Sequence, residues 1–289
     1  MDTRKIQRSG TTYYLYLPAP WCREHNLTTD SVVHLSKSSK GDLIVEPRKG
    51  DSTLPSLKIQ LDDTSQDVVN KFLIAAYISP VREFNISLAE PLSPDQILFH
   101  KTLLGGLELV DIEDNNISCH TTLALSDPDI LLSAMIKKIL SIVHLMKKEP
   151  KHELIQRYED EIDKSNLLIN KAIMSALMYK KDSKIRHINL FYIGMISRSL
   201  EQIGDILITI DEDPKLLDSI DTAMESLLLL LETMKQSDLI SFIKETRKLS
   251  REVKDLNTYK RMNLHSLLSH IAEILCDWVI VDLVEKGTK

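Results

Sequence analysis

The second half of the chain carries an apolar pattern that occurs twice, and this repeat restricts the possible folds more than any other feature. The run LEQIGDIL at residues 200–207 corresponds to LSHIAEIL at residues 268–275, which lies 68 positions later. Apolar residues spaced by three and four positions share one face of a helix. From residue 126 onward this spacing predicts six helices, at about 130–146, 151–180, 183–210, 216–234, 237–256 and 262–283. The repeat therefore predicts an internal duplication of two trios of helices, formed by residues 126–211 and 213–285.

The first 50 residues follow a different pattern, in which short strands surround one short helix. A proline-initiated helix is predicted at 20–24, and strands are predicted at 5–8, 12–17, 32–36 and 43–46. A segment of this size buries too little apolar surface to fold alone, so we predict that it dimerises with a second copy. It holds eight Lys and Arg residues and five acidic residues, so its net charge is +3. The rest of the chain has a net charge of −9, and the whole chain therefore has a net charge of −6.

Residues 55–125 predict a small α/β connector domain between these two regions. Helices are predicted at 64–79 and 93–104, and strands at 57–61, 83–88, 107–113 and 117–123. This order is compatible with a linker domain, a dimer interface or a small-molecule sensor, and it contains no glycine-rich phosphate loop. The whole chain is therefore predicted to be mainly α with an N-terminal β module, which is a multidomain α+β protein.

Acidic side chains form matching stripes on two neighbouring predicted helices. Glu201 and Asp205 are four residues apart on the third helix, and Glu159 and Asp163 have the same spacing on the second, followed by two asparagines at 166 and 170. If the stripes face each other, four carboxylates make an all-oxygen site suited to a divalent metal or to iron. The alternative is that both stripes are solvated faces of amphipathic helices, because such spacings also arise by chance.

The run RSLEQIGD at residues 198–205, with Glu159-x-x-x-Asp163 one helix earlier, resembles the Glu-x-x-x-Asp signature of the PhoU family of phosphate-uptake regulators. The resemblance implies two three-helix bundles, and it implies that Glu159, Asp163, Glu201 and Asp205 are metal ligands. In the second repeat Ser269 stands where Glu201 is, and Glu252 and Asp255 do not reproduce the spacing of the first repeat. We therefore expect one metal site, with Glu273 and Asp277 as secondary candidates.

The N-terminal segment resembles the SpoVT/AbrB family of swapped-hairpin DNA-binding domains. The resemblance rests on Arg4-Lys5-Ile6, Gly10, residues 13–18, Trp21 and the closing strands at 32–33 and 43–45. In that family an interleaved dimer presents basic residues to DNA, which implies this role for Arg4, Lys5, Arg8 and Arg23. The alternative is that these are ordinary surface charges of a dimerisation module. The chain departs from the family in having Thr11-Thr12 after the glycine, where an arginine is common.

The two resemblances together imply a transcription regulator of phosphate uptake and homeostasis, with a PhoU-like region that senses or docks. The first alternative is an adaptor that does not bind DNA and docks on a phosphate transporter or a sensor kinase. The second is a metal-dependent phosphoesterase, but neither a histidine ligand nor an activated nucleophile accompanies the carboxylates, so we predict no enzyme activity. Three widely separated cysteines fit a reducing cytoplasm, and no apolar segment is long enough to predict a membrane span.

Overall fold

The computed structural model confirms a mainly α fold with an N-terminal β module. It describes residues 3–37, 41–47, 55–104, 109–120, 127–148, 151–178, 185–210, 213–249 and 258–287. The chain divides into two compact units, residues 1–53 and residues 54–289. Several predicted features lie outside the described residues, namely the end of a predicted strand at 121–123, and Glu252 and Asp255.

The N-terminal unit consists of two separate antiparallel hairpins and one short helix. Strands β1 (Gln7–Ser9) and β2 (Thr12–Tyr14) pair around Gly10, which adopts the left-handed conformation with φ of 61°. Helix α1 (Ala19–Glu24) follows, and β3 (His34–Lys37) pairs with β4 (Leu43–Glu46). β2 is shorter than the predicted strand at 12–17, because β1 offers no partner beyond the pair of Gln7 with Tyr14.

Unit 2 begins with a four-stranded sheet and two helices in the predicted βαβαββ order. The elements are β5 (Ser56–Leu61), α2 (Gln66–Ile78), β6 (Glu83–Leu88), α3 (Pro94–Leu103), β7 (Leu109–Glu113) and β8 (Asn116–His120). The sheet order is β5-β6-β8-β7, with β5 parallel to β6 and the other pairs antiparallel. Alternate residues of β6 are buried, so one face of the sheet packs into a hydrophobic cluster with α2.

Six long helices complete unit 2 and share one hydrophobic cluster. They are α4 (Pro128–Lys148), α5 (His152–Met178), α6 (His187–Leu207), α7 (Pro214–Thr233), α8 (Gln236–Leu249) and α9 (Thr258–Gly287). α7 begins at a proline, and the carboxylate of Asp213 caps its first turn by accepting hydrogen bonds from the backbone N–H groups of Lys215 and Leu216. None of the described helices is both long and apolar enough to cross a bilayer.

Two trios of helices meet along two seams. α4 packs on α5 and α6 within the first trio, and α8 packs on α7 and α9 within the second. The trios meet where α4 contacts α7 and where α6 contacts α9. Helix α2 of the sheet region packs on α5, and Lys171 of α5 lies 4.1 Å above the Tyr77 ring as a buried cation–π contact. Helix α5 therefore connects the sheet region to the helical bundle.

Two glycines of α6 allow α5 and α6 to approach closely. A Cβ atom on Gly194 would lie 3.3 Å from Ile173 Cδ1, and one on Gly204 would lie 3.4 Å from Ile162. Larger side chains at these positions would push the helices apart, because the facing isoleucines leave no room for them. The close approach matters for the site described next, because Gly204 directly precedes Asp205 in the chain.

Candidate metal centre

Helices α5 and α6 bring three carboxylates together near the end of α6. One oxygen each of Glu159, Asp163 and Asp205 can be chosen so that all three lie within 4.8 Å of one another. Oxygens bound to a single cation at about 2.0–2.6 Å lie at most about 5 Å apart, so the spacing is compatible with one shared ion. Three of the four predicted ligands thus form a group of the right size for a metal.

Burial makes the ionised forms of two members of this group, Glu159 and Asp163, costly, whereas Asp205 is exposed. Glu159 is only 9 % exposed, and removal from water raises its pKa from 4.5 to about 7, with further contributions from the charges of Asp163, Asp160 and Asp205. Burial likewise raises the pKa of Asp163 to about 6, and the charge of Asp205 adds to this. The group is therefore stabilised by any cation or proton that neutralises part of its charge.

Glu201, the fourth predicted ligand, lies outside the group of three and pairs with a neighbour on its own helix. Arg198 Nη1 donates a hydrogen bond of 3.3 Å to Glu201 Oε1. Burial raises the pKa of Glu201, and the nearby positive charge of Arg198 opposes this effect. Arg198 also lowers the pKa of Asp163, so this arginine partly compensates the carboxylates in the absence of a metal.

Two oxygens of the site are buried and accept no hydrogen bond within the described protein. They are Asp163 Oδ1 and Glu201 Oε2. Buried carboxylate oxygens nearly always have a hydrogen-bond donor, a water molecule or a metal ion as partner. These two atoms therefore can accept further hydrogen bonds, and the all-oxygen set of Glu159, Asp163 and Asp205 could hold a hard divalent metal or iron.

The structure also assigns roles to polar neighbours that the sequence did not reveal. Gln156 Nε2 donates a hydrogen bond of 2.6 Å to Glu159 Oε2, which fixes the orientation of that carboxylate. Asp160 raises the pKa of both Glu159 and Asp163 through its charge. The only sequence signal for these two residues was their position within one helical turn of Glu159, which does not separate them from ordinary surface residues.

The acidic stripe continues along α5 as a neutral hydrogen-bonded network. Asn166 Oδ1 accepts hydrogen bonds from Ser197 Oγ at 3.1 Å and from Asn170 Nδ2 at 3.0 Å. Asn166 and Ser197 are both buried, and they lie on the facing helices α5 and α6. This network holds the two helices in register beside the carboxylates.

The second repeat does not assemble a comparable group within the residues that the structure describes. Glu273 and Asp277 of α9 are exposed, and neither belongs to a group of three potential ligands. The Oγ atom of Ser269, which corresponds to Glu201, lies 3.5 Å from His265 Nε2. The carboxylate site in the described part of the chain therefore belongs to the first repeat.

The four predicted DNA-contacting residues, Arg4, Lys5, Arg8 and Arg23, are all exposed in the N-terminal unit. Arg8 Nε donates a hydrogen bond of 2.8 Å to the Gly10 carbonyl, and its guanidinium lies 5.7 Å from the centre of the Tyr13 ring. Arg23 lies in the last turn of α1. Part of the hydrogen-bonding capacity of Arg8 is therefore used within its own hairpin.

Comparisons of this chain with protein-family models, with curated proteins and with solved structures give no match. The resemblances to the PhoU and SpoVT/AbrB families therefore stay predictions that rest on the residues named above.

Proposed function

We propose that this protein is a cytoplasmic regulator of phosphate uptake and homeostasis that binds a metal ion in its helical half and DNA through its N-terminal unit. The observation that carries the proposal is the convergence of Glu159, Asp163 and Asp205 within the motifs that resemble the PhoU signature. In this proposal the helical half senses or docks, and the N-terminal unit dimerises and acts on DNA.

The metal part of the proposal is supported by the unsatisfied charge of the site. Glu159, Asp163 and Asp205 would bind the ion directly, and Gln156 would hold Glu159 in place. The positive charge of a bound metal would stabilise the packing of α5 against α6 beside the carboxylates. This role would be structural and not catalytic. Elemental analysis of protein purified without chelator is expected to find a divalent metal or iron. A metal-free protein whose melting temperature is insensitive to chelation would identify the carboxylates as a solvated stripe.

Dimerisation of the N-terminal unit is supported by the exposure of its apolar side chains. None of the residues at 3–35, 37 and 41–47 is buried, although many of them are large and apolar. The apolar residues exposed by more than half are Ile6, Tyr13, Tyr16, Val32, Leu35 and Leu43. Two isolated hairpins of this size are at best marginally stable, so a second copy that interleaves with the first would supply the missing core. Light scattering should show a dimer or larger assembly even after dilution, and a stable folded monomer of residues 1–53 would contradict this assignment.

The DNA-binding part is tested most directly with genomic fragments. The full chain is expected to retain specific fragments at moderate salt, and the retained set should change when phosphate is added. The adaptor hypothesis predicts no specific retention. Absence of binding even at low salt, where phosphate contacts are strongest, would therefore favour the adaptor.

Two observations favour the adaptor as the second candidate function. The net charge of the N-terminal segment is only +3 per copy, and the Nε–H group of Arg8 already donates a hydrogen bond to the Gly10 carbonyl. A purely dimerising N-terminal unit would be compatible with both facts. In that case the helical half would act by docking on a phosphate transporter or a sensor kinase. The group of three carboxylates contains neither histidine nor cysteine, so we propose no phosphoesterase activity.

A further inference from the structure

A groove of about 580 Å³ lies along α6 and is lined from both sides by the helices that flank α6. α6 packs on α5 and on α9, and these two helices supply the walls, with Leu177 from α5 and His270 from α9. Phe191 and Met195 of α6 contribute to the floor. The volume is in the range of sites that bury a small molecule or a few anchoring side chains of a protein partner.

The surface of the groove is mainly apolar and open to solvent. Leu177, in the last turn of α5, is 46 % exposed, and Phe191, near the start of α6, is 57 % exposed, although both side chains are large and apolar. Next to Leu177 on the same helix, Met174 and Met178 are exposed as well. Methionine is flexible and polarisable, so it suits surfaces that adapt to the side chains of a partner.

The one charged side chain among the lining residues of the groove is that of Arg198, which is basic, although the chain as a whole is acidic. None of the lining residues is Asp or Glu, whereas the net charge of the chain is −6. The Arg198 side chain is 64 % exposed, and its single hydrogen bond to Glu201 leaves further N–H donors that point to solvent or to a partner. The groove therefore favours an occupant with an apolar face and acidic flanks.

We propose that this groove docks an amphipathic helix of a partner protein, with apolar residues on the face that enters the groove and acidic residues beside that face. Two helices that both flank a third leave a channel about one helix wide above it, because packed helices lie about 8–10 Å apart. The inference rests on the docking role in the proposed function, but it uses neither the carboxylate group nor the basic residues of the N-terminal unit.

The test uses a fluorescent synthetic peptide and the full-length protein. The peptide is a designed helix with leucines spaced by three and four residues and glutamates at the flanking positions, and its twin carries lysine in place of every glutamate. Fluorescence anisotropy measures binding to the parent chain and to three variants: Leu177→Ser, Phe191→Ser and, as a matched control on α7, Leu229→Ser. Leu229 is 51 % exposed and lies outside the groove, so it controls for the loss of an exposed apolar side chain.

We expect the glutamate peptide to bind at least tenfold more tightly than its lysine twin. Leu177→Ser and Phe191→Ser should each weaken binding at least tenfold, whereas Leu229→Ser should leave it unchanged. The proposal is overturned if the glutamate peptide does not bind at about 1 mM protein, if the twin binds equally well, or if Leu229→Ser is as harmful as Leu177→Ser. If Leu177→Ser instead reduces the mass of the assembly in light scattering, the occupant is a second copy of the chain and the partner assignment is wrong.

Failure of this test and failure of the proposed function can be told apart. Asp205→Asn and Arg8→Ala remove features of the metal site and of the DNA surface, and neither residue lines the groove. Both variants are expected to bind the glutamate peptide as the parent does. If the peptide binds to a protein that contains no metal and has no affinity for DNA, the docking role would be supported. The metal-binding and DNA-binding roles would then be rejected.

Discussion

The substitution Glu159→Gln gives the sharpest test of the carboxylate site, because it removes one buried charge and keeps the shape of the side chain. The glutamine oxygen can still accept the hydrogen bond that Gln156 donates to Glu159. The raised pKa of about 7 means that ionising Glu159 is harder in the folded protein than in the unfolded chain, where the ordinary value is 4.5. The substitution should therefore stabilise the metal-free protein whenever Glu159 would be ionised.

The magnitude follows from the pKa of Glu159. At about 1.4 kcal/mol for each pH unit between the two values, the cost of ionisation in the folded state is at most about 3.5 kcal/mol. Two of the charges that raise the pKa belong to Asp160 and Asp205, which are exposed, so solvent screening reduces the expected effect to roughly 1–2 kcal/mol. Because the folded pKa is the higher one, the stabilisation by protonated Glu159 is fully present below pH 4.5. It is lost as the pH rises through about 7.

The assay is urea unfolding of the helical half, followed by circular dichroism with chelator present, at pH 4.5 and pH 8. At pH 8 the Glu159→Gln protein should be more stable than the parent by roughly 1–2 kcal/mol, and at pH 4.5 the two should be equal. Glu225→Gln, at an exposed position of α7, is the control and should change little at either pH. A Glu159→Gln protein that is less stable than the parent at pH 8 would refute the reasoning, because the carboxylate would then be a net stabilising group without metal.

Three further predictions concern other residues. The Asp205→Asn protein should bind metal less tightly than the parent in titration calorimetry. It should melt at nearly the same temperature with and without chelator, since fewer like charges then need a cation. An unchanged response to chelator would exclude Asp205 as a ligand. Arg8→Ala should weaken DNA binding and lower the slope of log K against log salt by about 1 to 2 in a dimer, and equal slopes would show that Arg8 contacts no phosphate. Burial lowers the pKa of His100, so stability of the sheet region should fall as the pH drops below 6.5. His100→Leu should reduce this loss in melting curves measured at pH 5 and 7.5, and equal acid sensitivity of both proteins would assign the effect to other groups.

The local elements could be predicted from the sequence because their causes are local. Proline at the first position of α4 and α7, the left-handed Gly10 and Asn26, and the spacing of apolar residues all act within a few residues of the chain. The predicted strand at 83–88 and the helical pattern of the second half depended only on such signals. The predicted fold class is confirmed for that reason.

The membership of the carboxylate group was decided by the tertiary structure. The sequence pattern does not distinguish Glu201 from Asp205, because the two residues are four positions apart on one helix and each has apolar neighbours. The rotation and spacing of α6 against α5 decide which oxygens converge. Both depend on the residues where the two helices pack together, including the two glycines of α6 that face isoleucines of α5. Asp205 joins Glu159 and Asp163, whereas Glu201 pairs with Arg198.

The sequence by itself determined which residues can carry charge, which segments form helices to within a few residues at each end, and that the apolar register of one helical trio is repeated in the next. Only the tertiary structure decided how deeply each charge is buried, and therefore the direction in which its pKa moves. The same is true of the groove along α6, whose walls come from helices about a hundred residues apart in the chain, at Leu177 and His270. The physical reason is that helical hydrogen bonds and the periodic spacing of side chains involve residues close together in the chain. The burial of a charged group and the shape of a groove depend on the packing of all surrounding elements.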